Sequence, residues 1–237
     1  MRKSEIGTLE NIELFSDLPF DEVKVIQQRC HWLCYQEGEQ ILGRDSDSRD
    51  VFFVVKGSVQ VKNFSFSGRE IALATIGEGG YFGELSAVDR KPRSASVLAT
   101  ETTVLASLTP DHFIELIQRY PSISLLVLHR LAQIIRNCDE RIMDLSTLGA
   151  VQRVYVELLR LARHDQEQEW IIDPMPTQTN VAARASTTRE TVARVFSQLR
   201  KSGLIVRKGK TIQIKDYSKL QFMAERLPLT EGDAVSR

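Results

Sequence analysis

Tyr81-Phe82-Gly83-Glu84-Leu85-Ser86, followed after a short loop by Pro92-Arg93-Ser94-Ala95-Ser96, marks where the chain changes character. Before this stretch, apolar residues alternate at period two between turn signals; after it, two more strand-like runs give way to helical spacing. Within sixteen residues the stretch gathers a carboxylate, a guanidinium, serine hydroxyls and a glycine. A turn with free backbone N–H groups, an arginine fork and a serine hydroxyl suits a phosphate, because arginine matches phosphate geometry bidentately. The acid is a poor phosphate ligand but a good acceptor for a sugar hydroxyl. These residue types point to a phosphorylated sugar, a nucleotide, held between Glu84 and Arg93. The plainer reading of the same pair is an ion pair at a barrel edge.

Toward the N-terminus, residues 1–16 read as an irregular lead-in, and Asp17–Phe20 (DLPF) opens a short helix with Val23 and Ile26 on one face. Val51–Val55 (VFFVV), the turn Lys56-Gly57 and Ser58–Lys62 (SVQVK) predict two strands joined tightly. A turn at Phe64–Gly68 (FSFSG), a strand at Ile71–Ile76 and a glycine-rich corner at Gly77–Gly80 lead into the opening stretch. Ser94–Ala99 and Thr103–Leu108 are further strands. Many short strands at this spacing predict a small antiparallel barrel or roll.

Toward the C-terminus, Pro110 starts a helix that Pro121 interrupts. Ser122–Leu148 then holds neither proline nor glycine, a rod of about 40 Å at 1.5 Å per residue. Val127, Leu131, Ile134, Cys138, Arg141, Leu145 and Leu148 follow steps of four and three, which predicts a coiled-coil seam and a homodimer. Leu126, Ile135 and Ile142 fall off that seam and are expected to pack on the barrel.

After Gly149, Val154, Leu158, Leu159 and Leu161 mark another helix, and Asp165–Glu169 is an acidic loop. Pro176–Ala185 is a short helix with Thr177 as its expected N-cap, Ser186 a turn, and Thr187–Lys201 a second helix ended by Gly203. Leu204–Ile214 reads as a basic hairpin. Two helices across a tight turn, then a wing, make a winged helix-turn-helix. Arg189, Glu190 and Arg194 are placed on the solvent face of the second helix, with Val192, Val195, Phe196 and Leu199 inward. Arginine takes guanine O6 and N7 together, and glutamate accepts from cytosine N4. Thr188, Thr191, Gln178, Lys208 and Lys210 are assigned to phosphates, which fix register without reading sequence. Thr187-x-x-Glu190 is also a capping box, so Glu190 carries a second reading as a local cap.

Charge supports this division. The 237 residues balance 31 Lys and Arg against 31 Asp and Glu. Residues 174–219, however, hold ten basic side chains against two acidic ones, the asymmetry expected where one part of a chain meets a polyanion. Composition, 42% hydrophobic and 26% charged, is that of a globular protein. No run approaches the roughly 18 apolar residues of a membrane span, and the N-terminus has no signal-peptide core, so no membrane partner is expected and the cytoplasm is the expected compartment. Cys30, Cys34 and Cys138 lack paired metal spacing, and His31, His112, His129 and His164 are scattered. Neither metal nor catalysis is expected.

The order of roll, long helix and winged helix resembles the CRP/FNR superfamily of bacterial transcription regulators over nearly the whole chain, and within it the cyclic-AMP receptor branch. Val54–Val59 (VVKGSV) resembles that family's barrel hairpin. Gly83-Glu84-Leu85 with Arg93-Ser94-Ala95 resembles its phosphate-binding cassette, and Arg189-Glu-Thr-Val-x-Arg194 its recognition helix. The resemblance implies an α+β chain: a cyclic-nucleotide-binding β-roll with an N-terminal helix (1–109), a linker and long dimerisation helix (110–148), and a winged helix-turn-helix with a short tail (149–237). It implies that Glu84 bonds the ribose 2′-hydroxyl. Arg93 and Ser94, with backbone from Gly83 to Leu85, would hold the cyclic phosphate. Arg189, Glu190 and Arg194 would read a TGTGA-like half-site of a palindromic double-stranded DNA operator, with RNA polymerase as a partner. The family holds adenine with adjacent Thr and Ser on the dimer helix; here Cys138 and Asp139 stand there, after Asn137. An amide serves either purine, so the implied effector is cyclic AMP, with cyclic GMP the alternative. Ser186 stands where the family usually has glycine.

Overall fold

The run VFFVV decides how the first half packs. In the computed structural model, which describes residues 7–65 and 70–225, it forms β3 (Val51–Lys56). Val51 and Phe53 face one core with Phe15, Phe113 and Ile123; Phe52 and Val54 face another with Leu42, Val97 and Leu105. A strand covered on both faces reads as a continuous apolar run, not as an alternation. Phe53 packs on Phe15 at 4.9 Å between ring centroids, and Phe52 stacks on Phe82 at 5.2 Å.

The chain divides into two compact units, up to Ile135 and from Arg136. In the first, α1 (Phe20–Gln28) precedes β1 (His31–Tyr35), β2 (Gln40–Leu42), β3, β4 (Val59–Phe64), β5 (Glu70–Ile76) and β6 (Tyr81–Phe82). Then follow α2 (Glu84–Asp89), β7 (Ser96–Ala99), β8 (Thr103–Leu108), α3 (Pro110–Arg119) and α4, which begins at Pro121. Two four-stranded antiparallel sheets, ordered β1-β8-β3-β6 and β2-β7-β4-β5, enclose the roll. The turn at Lys56-Gly57 is as tight as its sequence predicts: Gly57 has φ +86°, and a Cβ there would lie 2.7 Å from the Thr102 carbonyl oxygen. It is not a hairpin turn, however, because β3 and β4 belong to different sheets; it is a corner of the roll. The turn expected at Phe64–Gly68 falls largely outside the described residues, as do the first six residues and the tail after Leu227.

Helix α4 (Pro121–Thr147) has the expected length, but the roll takes the first two residues of its predicted seam. Val127 is buried and Leu131 partly buried in the same core as Phe113, so the roll takes these two residues. Arg141 is engaged at the far end of the helix. The large apolar side chains left open are Leu125, Leu128, Ile135, Ile142, Met143 and Leu145; the first four, each 60–67% exposed, are spaced in threes and sevens. Leu126 does pack on the roll core as expected, whereas Ile135 and Ile142 are exposed.

In the second unit α4 ends at Thr147, followed by α5 (Ala150–Leu161), β9 (Arg163–His164), β10 (Trp170–Ile172), α6 (Gln178–Arg184) and α7 (Arg189–Lys201). The wing is β11 (Ile205–Lys208) and β12 (Thr211–Ile214), and α8 (Tyr217–Glu225) closes the described chain. The hairpin is extended into a four-stranded sheet, β11-β12-β10-β9, by two strands that flank the acidic loop and that the sequence pattern did not reveal. Val154, Leu158, Val181, Val192, Phe196 and Ile212 share one core. Burial pushes the Cys30 thiol up to about 12, as fits a core side chain, while Cys34 and Cys138 are exposed.

Candidate functional site

The roll brings Gly83, Glu84, Leu85, Arg93 and Ser94 together. Gly83 is the N-cap of α2 at φ +90°, and a Cβ on it would lie 2.7 Å from both Arg93 Nη1 and the Asp50 carbonyl oxygen. Only glycine allows both the backbone conformation and this approach. Arg93 is buried and held from three sides: Nη1 donates to the Gly83 carbonyl at 3.0 Å, Nη2 to the Asp50 carbonyl at 2.7 Å, and Nε to Ser48 Oγ at 3.0 Å. Its neighbour Ser94 is exposed, as is Leu85.

Glu84 is buried and opens α2. Burial raises its carboxyl above the ordinary carboxylate range; Arg130, its own backbone N–H and Arg93 pull the other way. The Arg130 Nε lies 3.8 Å from Glu84 Oε1, an ion pair too long for a hydrogen bond. Arg130 donates from Nη2 to the Tyr81 carbonyl at 2.6 Å and lies 4.4 Å over the Tyr81 ring. Among the described residues, four buried side-chain polar atoms lack a hydrogen-bond partner, and two of them, Tyr81 Oη and Arg130 Nε, flank Glu84. A third is Oδ1 of Asn63, whose Nδ2 donates to the Ser94 carbonyl. Buried polar groups are ordinarily paired, so this concentration marks a place suited to a polar ligand. Arg130 and Asn63 were missed in the sequence because they come from a helix and a strand remote from the cassette. Asn137, Cys138 and Asp139 lie exposed at consecutive positions of α4, in the second unit.

The second unit presents the other expected surface. Arg189, Glu190 and Arg194 are exposed on α7, while Val192, Val195, Phe196 and Leu199 are buried beneath them. The helix is capped one residue later than the capping-box reading places it: Thr188 Oγ1 accepts from the Thr191 N–H at 3.3 Å. Thr187 is buried, its N–H donating to the Ala182 carbonyl at 2.9 Å. Glu190 is held below its ordinary pKa by its own backbone N–H and by the Thr188 hydroxyl, so it takes part in the cap while remaining fully exposed. Thr177 caps α6 as expected, accepting from the Asn180 N–H at 3.2 Å. Lys208 and Lys210 are exposed on the wing. A cleft of about 530 Å³ gathers Gln178, Arg189 and Lys210, and adds Arg200 and Arg207, with no carboxylate in its lining. Only the local charge surplus pointed to those last two. Ser186 has φ +49°, the left-handed conformation that glycine adopts without cost.

Each unit matches a known domain family. Residues 32–120 match the cyclic nucleotide-binding domain, and residues 152–223 the Crp-like helix-turn-helix domain. The cyclic AMP receptor protein of Thermus thermophilus is 30% identical over 211 residues, which cover 89% of this chain and 96% of that protein. The cAMP-activated global transcriptional regulator CRP of Haemophilus influenzae is 28% identical, covering 78% of this chain and 84% of that one. The Thermus thermophilus catabolite activator protein structure matches at 28% identity with a TM-score of 0.52, over 89% of this chain and 97% of its own. The c-di-GMP-responsive regulator CLP of Xanthomonas campestris shares the fold at 18% identity, with a TM-score of 0.71 over 83% of this chain and 99% of its own. With a cyclic-nucleotide-binding roll and a DNA-binding winged helix in one chain, the protein belongs to the CRP/FNR superfamily and is a transcription regulator, not an enzyme.

Proposed function

We propose that this chain is a homodimeric regulator whose affinity for a palindromic, TGTGA-like DNA site is controlled by cyclic AMP, with cyclic GMP the alternative. The observation that carries the effector reading is the buried guanidinium of Arg93, fixed under Gly83 and next to a buried Glu84 that is flanked by unpartnered polar atoms. A preset arginine and exposed Ser94 suit a cyclic phosphate, and Glu84 suits the ribose hydroxyl. The cyclic AMP receptor protein and CRP named above are relatives by sequence, which favours cyclic AMP. A c-di-GMP-responsive protein has the same fold, so fold alone does not choose the effector. The choice of base is assigned to Asn137, Cys138 and Asp139.

The exposed stripe Leu125, Leu128, Ile135 and Ile142 is the dimer face. Burying such side chains is worth about 1.5–3 kcal/mol apiece. Its heptad spacing places Asp139 on the same stripe. Arg189, Glu190 and Arg194 read bases, and Gln178, Thr188, Thr191, Lys208 and Lys210 hold phosphates, on half-sites about 34 Å apart. The dimer acts in the cytoplasm with RNA polymerase as its partner. Among the described residues no helix is long and apolar enough to cross a membrane.

Calorimetry with cyclic AMP and cyclic GMP on the wild type and on Arg93→Gln tests the effector. One nucleotide is expected to bind the wild type, and Arg93→Gln to weaken it about 10- to 100-fold, the worth of one charge-assisted hydrogen-bond set. Equal titrations of both proteins would refute the site. Sedimentation at micromolar concentration should give a dimer, and a monomer there would remove the homodimer from the reading.

A further inference from the structure

We propose that Arg141 is a positioning residue that ties the α4 segment carrying Asn137–Asp139 to the start of the recognition helix, with the Ser186 hydroxyl as one of its acceptors. The proposal rests on the regulator reading above and adds the route by which the helix sets the reading head.

Helix α6 ends at Arg184, and the last carbonyls of any helix have no partner within it. Here two arginines supply the partners. Arg141 Nη2 lies 3.3 Å from the Ala183 carbonyl oxygen, 3.4 Å from that of Arg184 and 3.1 Å from Ser186 Oγ. Arg153 donates from Nε to the Ala185 carbonyl at 2.9 Å and from Nη2 to the Ser186 carbonyl at 3.0 Å. Four consecutive carbonyls are thus covered by two cations, the charge a helix C-terminus favours. Burial works against the charge of Arg141, and Glu157 nearby offsets it. Glu157 is itself buried and accepts from Arg184 Nη1 at 3.1 Å, so the clamp rests on an internal pair.

Ser186 explains the clamp's specificity. At φ +49° a serine is strained by roughly 1–2 kcal/mol, a cost glycine would not carry. What serine offers and glycine cannot is a hydroxyl, and that hydroxyl accepts from Arg141 Nη2 at 3.1 Å. Two residues on, Thr188 caps α7, and Arg189 and Glu190 follow. A shift of Arg141 is therefore passed to a turn that has little freedom to absorb it. The two arginines differ in origin. Arg153 comes from α5 and also holds the Leu148 carbonyl at 2.8 Å, so it braces the turn from within the winged helix. Arg141 lies on α4, three residues beyond Cys138, where a base contact made on one side of the helix turn is felt on the next.

The test compares wild type, Arg141→Gln, Ser186→Gly and the double variant by fluorescence anisotropy on an operator duplex, with and without cyclic AMP or cyclic GMP. Calorimetric nucleotide affinity is expected to stay within about twofold in all of them. The gain in DNA affinity on adding nucleotide should fall at least fivefold in each single variant, and the double variant should be no worse than either single, as for two members of one interaction. Ser186→Gly should also hold or raise the melting temperature, because it releases strain; this separates lost coupling from lost folding. A full nucleotide response in Ser186→Gly, or additive losses in the double variant, would overturn the clamp. If the wild type itself ignores both nucleotides, the regulator reading fails, and the clamp is then decided by hydrogen exchange at amides 186–191. Arg141→Gln should speed that exchange, and unchanged protection would refute the proposal.

Discussion

The chain presents two cationic sites built on opposite principles. In the roll, Arg93 is buried and spends three of its bonds on Gly83, Asp50 and Ser48. On α7 and the wing, Arg189, Arg194, Lys208 and Lys210 stand in solvent. A buried, preset fork meets one small phosphate in a fixed geometry and is screened little by salt, because solvent ions do not reach between the partners. Exposed cations meet many phosphates loosely and gain mainly by releasing the counterions of the polyanion. The difference teaches which site chooses its partner by shape and which by charge. In the second site, the proposed reading leaves choice to the few side chains at the start of α7.

The widest separation between the two should appear on adding salt. Raising it from about 50 to about 200 mM is expected to weaken DNA binding on the order of 10³-fold, given six or more phosphate contacts. Nucleotide binding, measured by calorimetry in the same buffers, should change less than about threefold, because the Arg93 guanidinium is buried. Parallel losses at both sites would break the distinction. A smaller effect sharpens it within the DNA face. Arg189→Ala should cost about 1–3 kcal/mol and relax discrimination at one guanine, whereas Lys208→Ala should weaken all sequences alike and lower the salt slope by about one. Binding arrays over operator variants distinguish the two patterns; a uniform loss for Arg189→Ala would make it a phosphate contact.

How far the sequence revealed these sites depended on whether the deciding contacts were local. The cassette was legible because Gly83, Glu84, Arg93 and Ser94 fall within twelve residues and their chemistry converges. Arg130 was not, since its role comes from α4 lying beside Tyr81, a tertiary fact. The helix-turn-helix was legible from the inward stripe Val192, Val195, Phe196 and Leu199. The first two residues of the α4 seam were misread because the helix carries two apolar stripes of nearly equal quality. Periodicity does not tell which stripe the roll will cover, and Val127 and Leu131 went to the core of Phe113 and Ile123. The open stripe is disguised by Ala132 and Asp139 at its intermediate positions. Arg141 looked like a defect in the predicted seam. Its purpose shows only once Ser186 is seen at positive φ beside it.

The smallest expected effect concerns what burial costs at the cassette. Burial is the main cause that raises Glu84 above its ordinary 4.5, against the pull of Arg130 and Arg93. A carboxyl with a raised folded-state pKa holds its proton more tightly in the folded chain than in the unfolded one, so at this residue low pH favours folding. The penalty is absent below 4.5, grows as pH rises from there, and is complete once pH passes the raised value. Glu84→Gln keeps the shape and cannot ionise. Its melting temperature relative to wild type should therefore improve with rising pH across that interval and level off above it, while Arg189→Ala, at an exposed arginine, should track the wild type throughout. Glu157 is raised by burial in the same direction and stays intact in both proteins, so it cancels from the difference. A Glu84→Gln difference that is flat with pH would mean that Arg130, despite standing 3.8 Å away, already compensates the buried charge, and the cassette would then lie closer to the exposed cations of α7 than its geometry implies.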